Sequence, residues 1–482
     1  MLVTILTVLE VVYVIGLAGW ILFEKRSPVA TLAWILALIA LPYVGFIVFF
    51  FFGPRRLVRK RLKHRRARGK MQETAHELPV HEGRVEPEDP RITQLIRLAI
   101  AAGEPPAEHC DEVEILHDAA RTYDAIEDAI RAAKHHVHVA YYIFDQGRCG
   151  SRLRDVLVER AKAGVTVRVL VDDVGSSGMG RAFSKTMRDA GVKLAKFNEV
   201  TFSRIRSRID FRNHRKIVVV DGTVGFTGGI NVCDDYFSSP TENPPKREKH
   251  GHPAPWRDTH LRFTGDAVRW LQLVFLDDWH YTTGYVPRDS RYFPPPTNTG
   301  VHQVHVITSG PDRDLEPIQK MYFAAIASAS DRVWLTTPYF VPDEAVFTAL
   351  VTASLRGVDV RVLVPRRSDS LIVTAAARSY YDKILAAGVR VFEYQPTMIH
   401  AKTMVVDDYF AAVGTANFDN RSFRLNFEVS AILYGPTHAE ELARAFEKDL
   451  EASKEITTQS RKQLSLRWRF AEAGARVLSP LL

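Results

Sequence analysis

The chain has 482 residues, of which 46% are hydrophobic and 25% charged, and this composition excludes a wholly disordered or collagen-like protein. Three cysteines without a Cys-x-x-Cys pair exclude a disulfide framework and a thiolate zinc cluster, so the fold does not depend on an oxidising compartment. The net charge is +8, but residues 55–70 carry ten basic side chains and residues 71–482 sum to −2. Because proteins that wrap nucleic acid spread basic charge over the binding face, nucleic acid is not the expected partner.

Two apolar runs open the chain, at residues 2–23 and 29–52. Each is long enough to cross a hydrocarbon core of about 30 Å as a helix, and only residues 24–28 separate them. The pattern therefore predicts a transmembrane hairpin over residues 1–54. A cleaved signal peptide is the competing interpretation, but the first run lacks a basic start and a small-residue cleavage site, and a second apolar run follows at once.

The basic run at residues 55–70 follows the second apolar segment directly. Positive charge stays on the cytoplasmic side of a membrane, so the run predicts a multi-pass protein whose remaining portion faces the cytoplasm. Each basic side chain can add up to about 1 kcal/mol of attraction to anionic lipid, although a topology signal alone is also compatible with the pattern. Residues 55–91 as a whole are predicted to form a juxtamembrane segment and linker.

Beyond the linker the chain repeats itself. Residues 164–171 read GVTVRVLV and residues 357–364 read GVDVRVLV, and helical patterns alternate with strands of this kind in both regions. Nearly continuous runs of Val, Ile and Leu are typical of buried central strands. The sequence therefore predicts an α/β fold of two pseudo-symmetric sandwich halves, at residues 92–290 and 291–482. The Pro-rich, charged stretch at 238–255 is predicted to be an insertion in the first half.

A polar pattern lies inside the repeat, with Lys, Asp, Gly and Asn at 2, 7, 14 and 17 residues after a histidine in both copies. Residues i and i+2 of a strand point to the same face, so each histidine emerges beside its lysine. Five residue types at matched offsets make this a strong signal. The two copies are His214, Lys216, Asp221, Gly228 and Asn231 in the first half, and His400, Lys402, Asp407, Gly414 and Asn417 in the second.

These residues fit chemistry at a phosphodiester. One neutral imidazole can attack phosphorus while the other, protonated, gives its proton to the leaving alkoxide. Four further side chains can bind the non-bridging oxygens as negative charge builds: Lys216, Lys402, Asn231 and Asn417. This arrangement requires neither a metal nor a cofactor, and no cluster with metal-ligand spacing occurs in the motifs.

Each half also has a carboxylate at the start of a later strand, Asp258 in the first and Glu428 in the second. We expect these two acids to hold the histidines in one tautomer. For Asp221 and Asp407 two roles stay open, namely direct participation in the reaction and the fixing of local strand and loop geometry.

The duplicated His-x-Lys-x4-Asp pattern resembles that of the phospholipase D superfamily. Other segments resemble its bacterial cardiolipin synthase branch, and the similarity extends from the apolar hairpin to the C-terminus. These segments are the stretch from Arg26-Ser27-Pro28 to Leu41-Pro42, Trp256–His260, Ser309–Pro311, Thr337–Pro342 and Gly414–Glu428. The halves differ at Gly228-Gly229 against Gly414-Thr415, which the family pattern tolerates.

The resemblance implies an enzyme of the bacterial inner membrane that acts on phosphatidylglycerol without a cofactor. By this resemblance His214 forms a phosphatidyl-histidine intermediate and releases glycerol, and His400 serves as acid and then as base. A second phosphatidylglycerol then attacks and yields cardiolipin. From the residues alone, either histidine can be the nucleophile.

Other functions use the same residues. A phospholipase D-type hydrolase, or a phosphatidyltransferase with a different alcohol acceptor, would need the same histidine pair. A membrane-tethered nuclease is opposed by the charge of −2 over residues 71–482, and an inactive lipid-binding scaffold by the presence of both histidines. One chain carries both motifs, so the site does not require a dimer, and the oligomeric state stays open.

Three other features have an ordinary structural interpretation beside a functional one. His135, His136 and His138 begin a buried strand without an acid or cysteine at ligand spacing, which disfavours a metal site. The aromatic strand ends at 141–144 and 339–340 favour core packing over an acyl-chain entrance. The basic segment at 461–469 is equally compatible with a surface helix and with contact to a membrane.

Overall fold

The computed structural model describes residues 12–19, 21–22, 31–32, 35–36, 87–199, 211–237, 255–297 and 299–479. The chain divides into a small N-terminal unit, which includes residues 1–63, and a large unit, which includes the described residues from 87 onward. The described residues of the small unit are helical. Within the described part of the chain, no helix has both the length and the apolar character needed to cross a membrane. Most of the two predicted spans, the basic run and most of the predicted insertion lie outside the described residues.

The large unit alternates strands and helices. Its strands are β1 (Glu108–Leu116), β2 (His136–Tyr141), β3 (Thr166–Asp172), β4 (Lys193–Phe197), β5 (Ile217–Val220), β6 (Val224–Gly228), β7 (His260–Gly265), β8 (His302–Ser309), β9 (Arg332–Thr336), β10 (Phe340–Val341), β11 (Asp359–Pro365), β12 (Arg390–Tyr394), β13 (Thr403–Val406), β14 (Phe410–Gly414), β15 (Phe418–Asp419), β16 (Glu428–Tyr434) and β17 (Ser453–Ile456). Its helices are α1 (Pro90–Ala101), α2 (Ala119–Ala132), α3 (Arg148–Lys162), α4 (Arg181–Asp189), α5 (Val268–Thr283), α6 (Pro317–Ala327), α7 (Glu344–Leu355), α8 (Leu371–Arg378), α9 (Tyr381–Ala386), α10 (Asn420–Arg424), α11 (Pro436–Glu451), α12 (Thr458–Lys462) and α13 (Leu466–Val477).

One mixed sheet runs through both halves of the large unit. From its centre outward, the strand order is β1-β7-β6-β5-β2-β3-β4 on one side and β8-β16-β14-β13-β9-β11-β12 on the other, with β17 at the edge. The two series match strand for strand, and β1 pairs antiparallel with β8 where the halves join. The predicted α/β fold with a duplicated domain is confirmed, and the two halves share one sheet rather than forming separate ones.

Each half has its own hydrophobic core between the sheet and its helices. Helix α2 shows how the sequence builds it, because Asp118 caps its first turn and Tyr123, Ile126 and Ile130 recur on its buried face. The strands beneath, such as β5 with all four residues buried, have apolar side chains on both faces because helices cover both faces of the sheet.

Two contacts join residues across the predicted boundary between 92–290 and 291–482, which stays a prediction. Helix α1 stands at the start of the first half in the sequence, yet its Ile92 and Leu95 belong to the core of the second half. Tyr292 lies beyond the predicted end of the first half, yet its hydroxyl accepts a hydrogen bond from Arg168 Nη1 at 2.8 Å in that half. The apolar face of α1 and the ring of Tyr292 thus each pack against the half that lies on the other side of the predicted boundary.

Two short parallel bridges connect the halves near their motifs. Asn213 pairs with Phe427, and the amide of His214 donates to the carbonyl of Phe427 at 2.9 Å. Arg257 pairs with Ile399, and the amide of His400 donates to the carbonyl of Arg257 at 2.7 Å. Each motif histidine is therefore fixed beside a segment from the opposite half.

A buried ion pair strengthens this connection. Arg215 Nη1 lies 2.7 Å from Asp278 Oδ1 on α5, and Asn213 Nδ2 donates to the other oxygen of Asp278 at 2.8 Å. Arg215 Nε also donates to the carbonyl of Glu428 at 3.1 Å, so a single guanidinium joins a helix of the first half to a strand of the second.

We predict that Arg215→Gln strongly destabilises the large unit. The change removes the Arg215 guanidinium from the buried Asp278 carboxylate, and breaking a buried ion pair in this way costs about 3–5 kcal/mol. Thermal unfolding of the purified chain measures the effect. Arg262→Gln is the matched control, because it breaks the more exposed pair with Glu112, which stabilises by about 1 kcal/mol at most. Equal shifts in Tm for the two variants would contradict the prediction.

Candidate active site

The two motifs lie at the ends of interior strands of the shared sheet. His214 and Lys216 precede β5, whose first residue pairs with Ala140 near the carboxyl end of β2, and His400 and Lys402 precede the equivalent strand β13. The crevice at the carboxyl ends of parallel strands is where α/β folds bind ligands. The two motifs are also electrostatically coupled, because the charge of Lys402 helps to lower the pKa of His214 and that of Lys216 helps to lower the pKa of His400, after burial as the main cause of each shift.

Each motif histidine pairs with the predicted carboxylate of the opposite half. His214 Nδ1 lies 2.9 Å from Glu428 Oε2, and His400 Nδ1 lies 2.7 Å from Asp258 Oδ2. The bridges described above produce this exchange between the halves, because Glu428 follows Phe427 and Asp258 follows Arg257. Among the described residues neither Nε2 atom has a hydrogen-bond partner, so each imidazole is held at one nitrogen and presents the other for reaction.

A hydroxyl supports each carboxylate, and the two hydroxyls come from different positions of the repeat. Thr415 Oγ1 donates to Glu428 Oε2 at 2.6 Å. Tyr236 OH donates to Asp258 Oδ2 at 3.0 Å and lies 2.9 Å from His400 Nδ1. The position equivalent to Thr415 is Gly229, where a Cβ atom would lie 2.0 Å from Asp258 Oδ1. The first half therefore has glycine and tyrosine at the positions where the second half has threonine and Ser422.

Sequence reasoning missed Tyr236. The signal was present, because Tyr236 and Ser422 both lie 22 residues after their motif histidine, and the exchange of a large phenol for a small hydroxyl marks an asymmetry between the copies. It also placed Tyr142 in the core, whereas the ring of Tyr142 contacts the imidazole of His214 edge-on, with 4.9 Å between the ring centroids. Tyr141 and Phe144 do lie in the core.

Both motif lysines are buried next to the histidines. Lys216 Nζ donates to the carbonyl of His214 at 2.8 Å, and Lys402 Nζ donates to the carbonyl of His400. Burial lowers the pKa of Lys216 to about 7 and that of Lys402 to about 8, although the nearby carboxylates oppose the shift. Each ammonium therefore gains from an incoming anion, because the anion's charge offsets the desolvation of the lysine.

The histidines are neutral and their carboxylates ionised near neutral pH. Burial lowers the pKa of His214 and, together with Lys402, lowers that of His400 to about 4. Burial alone would raise the pKa of Glu428 and Asp258, but the adjacent histidines and lysines outweigh it and lower both values. A neutral imidazole is the nucleophilic form of histidine, so both side chains are in a form that can act as a nucleophile.

The two predicted asparagines follow β6 and β14, the strands that pair with β5 and β13. Asn231 Oδ1 accepts from the amide of Ile143 at 3.3 Å, and the amide of Asn417 donates to Ser422 Oγ at 3.1 Å. Neither side-chain nitrogen, Asn231 Nδ2 or Asn417 Nδ2, has a hydrogen-bond partner in the described part of the chain. Both nitrogens can therefore donate to the oxygens of a bound phosphate group.

Asp221 and Asp407 lie at the opposite ends of β5 and β13 from the histidines. Each has a positive φ, of 52° and 50°, and each carboxylate accepts from a run of three backbone amides. Asp407 also pairs with Arg91 Nη1 at 2.9 Å. The structure thus does not bring these two predicted residues into the histidine cluster, and their contacts fix the turn and the start of the neighbouring strand.

The cluster of His135, His136 and His138, at the start of β2, is part of the packed interior of the first half. His136 Nε2 lies 2.9 Å from Gln272 Oε1, and His138 Nε2 lies 3.0 Å from Arg168 Nη1. Burial lowers the pKa of His136 to about 4, so it is neutral at pH 7. In the ranges that the structure describes, no group of three or more His, Cys, Asp or Glu side chains is placed to hold a metal ion.

Comparisons with known proteins agree with this geometry. The family model "Cardiolipin synthase, PLD-like domain" matches residues 126–244 and 322–450, one match in each half. The model "Phospholipase D-nuclease N-terminal" matches residues 11–54.

Curated relatives resemble the chain over nearly its whole length. Cardiolipin synthase of Alkalihalophilus pseudofirmus is 39% identical, with 99% of this chain and 94% of the relative aligned. That of Geobacillus kaustophilus is 40% identical, over 97% of this chain and 92% of the relative. The crystal structure of phosphatidylserine synthase from Haemophilus influenzae has the same fold, with a TM-score of 0.59 at 14% identity over 81% of this chain and all of that one.

We predict that the site binds sulfate more weakly as the pH rises. Sulfate keeps a constant charge, whereas Lys216 and Lys402 lose theirs as the pH rises through about 7 and 8. Loss of charge-assisted hydrogen bonds should lower the affinity at least about tenfold between pH 6 and pH 9, which calorimetric titration measures. Lys402→Met should flatten the upper part of the profile. Equal affinity of the native chain at the two pH values would overturn this account of the lysines.

We predict that Asp407→Ala acts on stability rather than on the site. Removing the carboxylate leaves three backbone amides and Arg91 without their acceptor, at a cost of about 1–3 kcal/mol, and alanine adds strain at a positive φ. Tm should fall while sulfate affinity at pH 6 stays within about threefold. The neighbouring exposed residue provides the control, Asp408→Ala, which should change neither. A normal Tm with lost sulfate binding would assign Asp407 to the site instead.

Proposed function

Because the chain belongs to the cardiolipin synthase family of phospholipase D-like enzymes, we propose that it transfers a phosphatidyl group between two phosphatidylglycerol molecules, giving cardiolipin and glycerol. One observation carries the proposal: two neutral imidazoles, each held at Nδ1 by a buried carboxylate from the other half, lie close to two buried lysines whose charges act on both imidazoles. This arrangement suits exchange of one alcohol for another at a phosphodiester, because the same pair of groups serves both directions of transfer.

In the first step His214 Nε2 attacks phosphorus and the bond to the glycerol oxygen breaks. His400, protonated once the anionic lipid is bound, gives its proton to that oxygen, and glycerol leaves. Glu428 stabilises the positive charge that develops on His214, and the lysines with Asn231 and Asn417 hold the phosphate oxygens.

In the second step the terminal hydroxyl of another phosphatidylglycerol replaces glycerol. His400 now takes the proton of this hydroxyl, whose oxygen attacks phosphorus while the bond to His214 Nε2 breaks. Cardiolipin is released, and both histidines return to their starting state. One phosphodiester replaces another, so the reaction needs no nucleotide and its equilibrium constant lies near unity.

We assign the N-terminal residues 1–54 to a membrane anchor of two spans, with the basic run at 55–70 on the cytoplasmic side. Support comes from the two apolar runs, from the charge distribution and from the family match over residues 11–54. The catalytic portion then faces the cytoplasm at the inner membrane of a bacterium, where phosphatidylglycerol is within its reach.

Lipid mass spectrometry tests the reaction. The full chain is given phosphatidylglycerol in mixed micelles, and we expect cardiolipin and glycerol in equal amounts. His214→Ala and His400→Ala should each lower the rate by about 10²–10⁴-fold, whereas His135→Ala, outside the site, should not. Phosphatidic acid as the main product would show that water is the acceptor, and no lipid turnover would overturn the proposal.

A second substrate separates the roles of the histidines. The p-nitrophenyl ester of phosphatidic acid has a leaving group that needs no proton. With this ester His400→Ala should release a burst of p-nitrophenol and retain a phosphatidyl group on His214, located by peptide mapping after the reaction is quenched. His214→Ala should give no burst. The reverse pattern would assign the nucleophile to His400.

A further inference from the structure

Helix α13 presents an apolar stripe to solvent. Leu466, Phe470, Ala473 and Val477 are spaced by 4, 3 and 4 residues and so share one helical face. Their three large side chains are 72–77% exposed. An amphipathic helix of a globular domain normally turns such a stripe toward the core, so this stripe needs an apolar partner other than the described residues of the large unit.

The opposite face of α13 is packed and hydrogen-bonded to the rest of the large unit, so the stripe faces outward. Glu472 and Ala475 are buried on that face. Arg461 donates two hydrogen bonds to Glu472, at 2.9 and 2.6 Å, and its Nε donates to Asp382 at 2.8 Å. Arg476 Nη1 also donates to the carbonyl of Ser379 at 3.2 Å. These contacts fix the rotation of the helix about its own axis.

A groove of about 430 Å³ separates α13 from α8. Its apolar lining side chains include Leu371, Ile372, Ala375, Trp468 and Leu478. Leu371, Ile372 and Trp468 are exposed, so the groove is a second apolar surface of α13, on the side of the helix away from the stripe. We call the stripe and the groove together, formed by α8 and α13, the apolar rim.

Basic side chains border the apolar rim. Arg467 and Arg469 flank the stripe on either side of α13, and Arg367 and Arg378 line the groove. The carboxylate among the lining residues is Glu472, which is paired with Arg461. Apolar side chains ringed by arginine and a tryptophan match the boundary between acyl chains and anionic headgroups in a lipid bilayer.

The groove of the apolar rim begins at the same end of the sheet as the active site. Asp369 precedes α8 by two residues and accepts from Tyr339 OH at 2.6 Å, and its charge counts among those that oppose the effect of burial on the pKa of Lys402. Because consecutive Cα atoms are 3.8 Å apart, Leu371 begins the groove within about 8 Å of Asp369. Helix α8 also follows the carboxyl end of β11, so its first turn lies at the end of the sheet that holds the histidines.

We propose that the apolar rim is a docking surface for an anionic lipid bilayer. The stripe of α13 enters the acyl region, the flanking arginines bind lipid phosphates, and the groove receives an acyl chain of the lipid whose headgroup reaches the histidines. The role in feeding substrate rests on the proposed function, whereas contact with the bilayer does not. The docking is additional to the N-terminal anchor, because it orients the catalytic edge of the sheet toward the membrane.

Spin labels measure this contact in the full chain without relying on activity. A nitroxide at Phe470→Cys is compared with one at Leu355→Cys, which is 71% exposed at the end of α7, near the amino end of β11. The native cysteines are buried, which protects them from labelling. In vesicles with phosphatidylglycerol, the label at 470 should be accessible to oxygen and shielded from a water-soluble nickel complex, and the label at 355 the reverse.

Two spin-label results would overturn the proposal. The first is a label at 470 that is as accessible to nickel as the label at 355. The second is a label at 470 that is shielded from both reagents and shows dipolar broadening that disappears when unlabelled chain is added, because this assigns the apolar rim to contact between copies. Neither result depends on whether the chain makes cardiolipin.

Activity tests the feeding of substrate. Phe470→Glu should lower turnover of long-chain phosphatidylglycerol in vesicles at least tenfold more than turnover of monomeric dihexanoyl phosphatidylglycerol, whereas Leu355→Glu should affect neither. An equal loss on both substrates would mean that α13 supports the site structurally and would overturn the feeding role. If the native chain turned over neither lipid, the proposed function would fail while the spin labels still decided the docking.

Discussion

The exchange of carboxylates between the halves is the constraint on which the rest of the structure depends. Glu428 and Asp258 are fully buried, and a buried carboxylate is costly unless a positive or donating partner meets it. The partner of each is a histidine of the opposite half. The central pairing of β1 with β8, the two parallel bridges and the guanidinium of Arg215 all hold the halves in the one arrangement that satisfies both acids.

The same burial prepares the site for an anion. Two carboxylates, two lysines and two imidazoles are buried close together where the halves meet. Burial is the main cause of the lowered pKa of the lysines and of the imidazoles, whereas at the carboxylates it opposes the net lowering. The carboxylates keep their charge because lysine and histidine lie close by. Burial lowers the pKa of both lysines, so their positive charge is weakly held. The negative charge of a bound phosphodiester would stabilise it. Recognition and preparation for catalysis therefore come from one electrostatic balance.

Much of this could be predicted from the sequence because strands have a period of two and the chain carries its pattern twice. Those two facts indicated the α/β repeat, the pairing of each His with its Lys, and Asp258 and Glu428 as candidate orienting acids. Spacing along a chain does not say which segment lies opposite, so the exchange between halves and the packing of α1 on the second half were not predicted. Tyr236 lies 22 residues after His214, where the second copy has Ser422, but this spacing does not show that its hydroxyl reaches the carboxylate of Asp258. Asp221 and Asp407 share the motif's spacing but lie at the ends of β5 and β13 away from the histidines. Their structural role became clear only from the turn that they form, in which each has a positive φ.

The exchanged pairs also govern when the protein becomes reactive during its synthesis. The first half leaves the ribosome with His214 and Asp258, and in this state neither has its partner, because Glu428 and His400 are still to be made. A nascent chain therefore cannot form both exchanged pairs until Glu428, at the start of β16, has been added. A product truncated before β16 lacks the carboxylate that holds His214, so the order of synthesis itself makes the site one of the last parts of the fold to be completed.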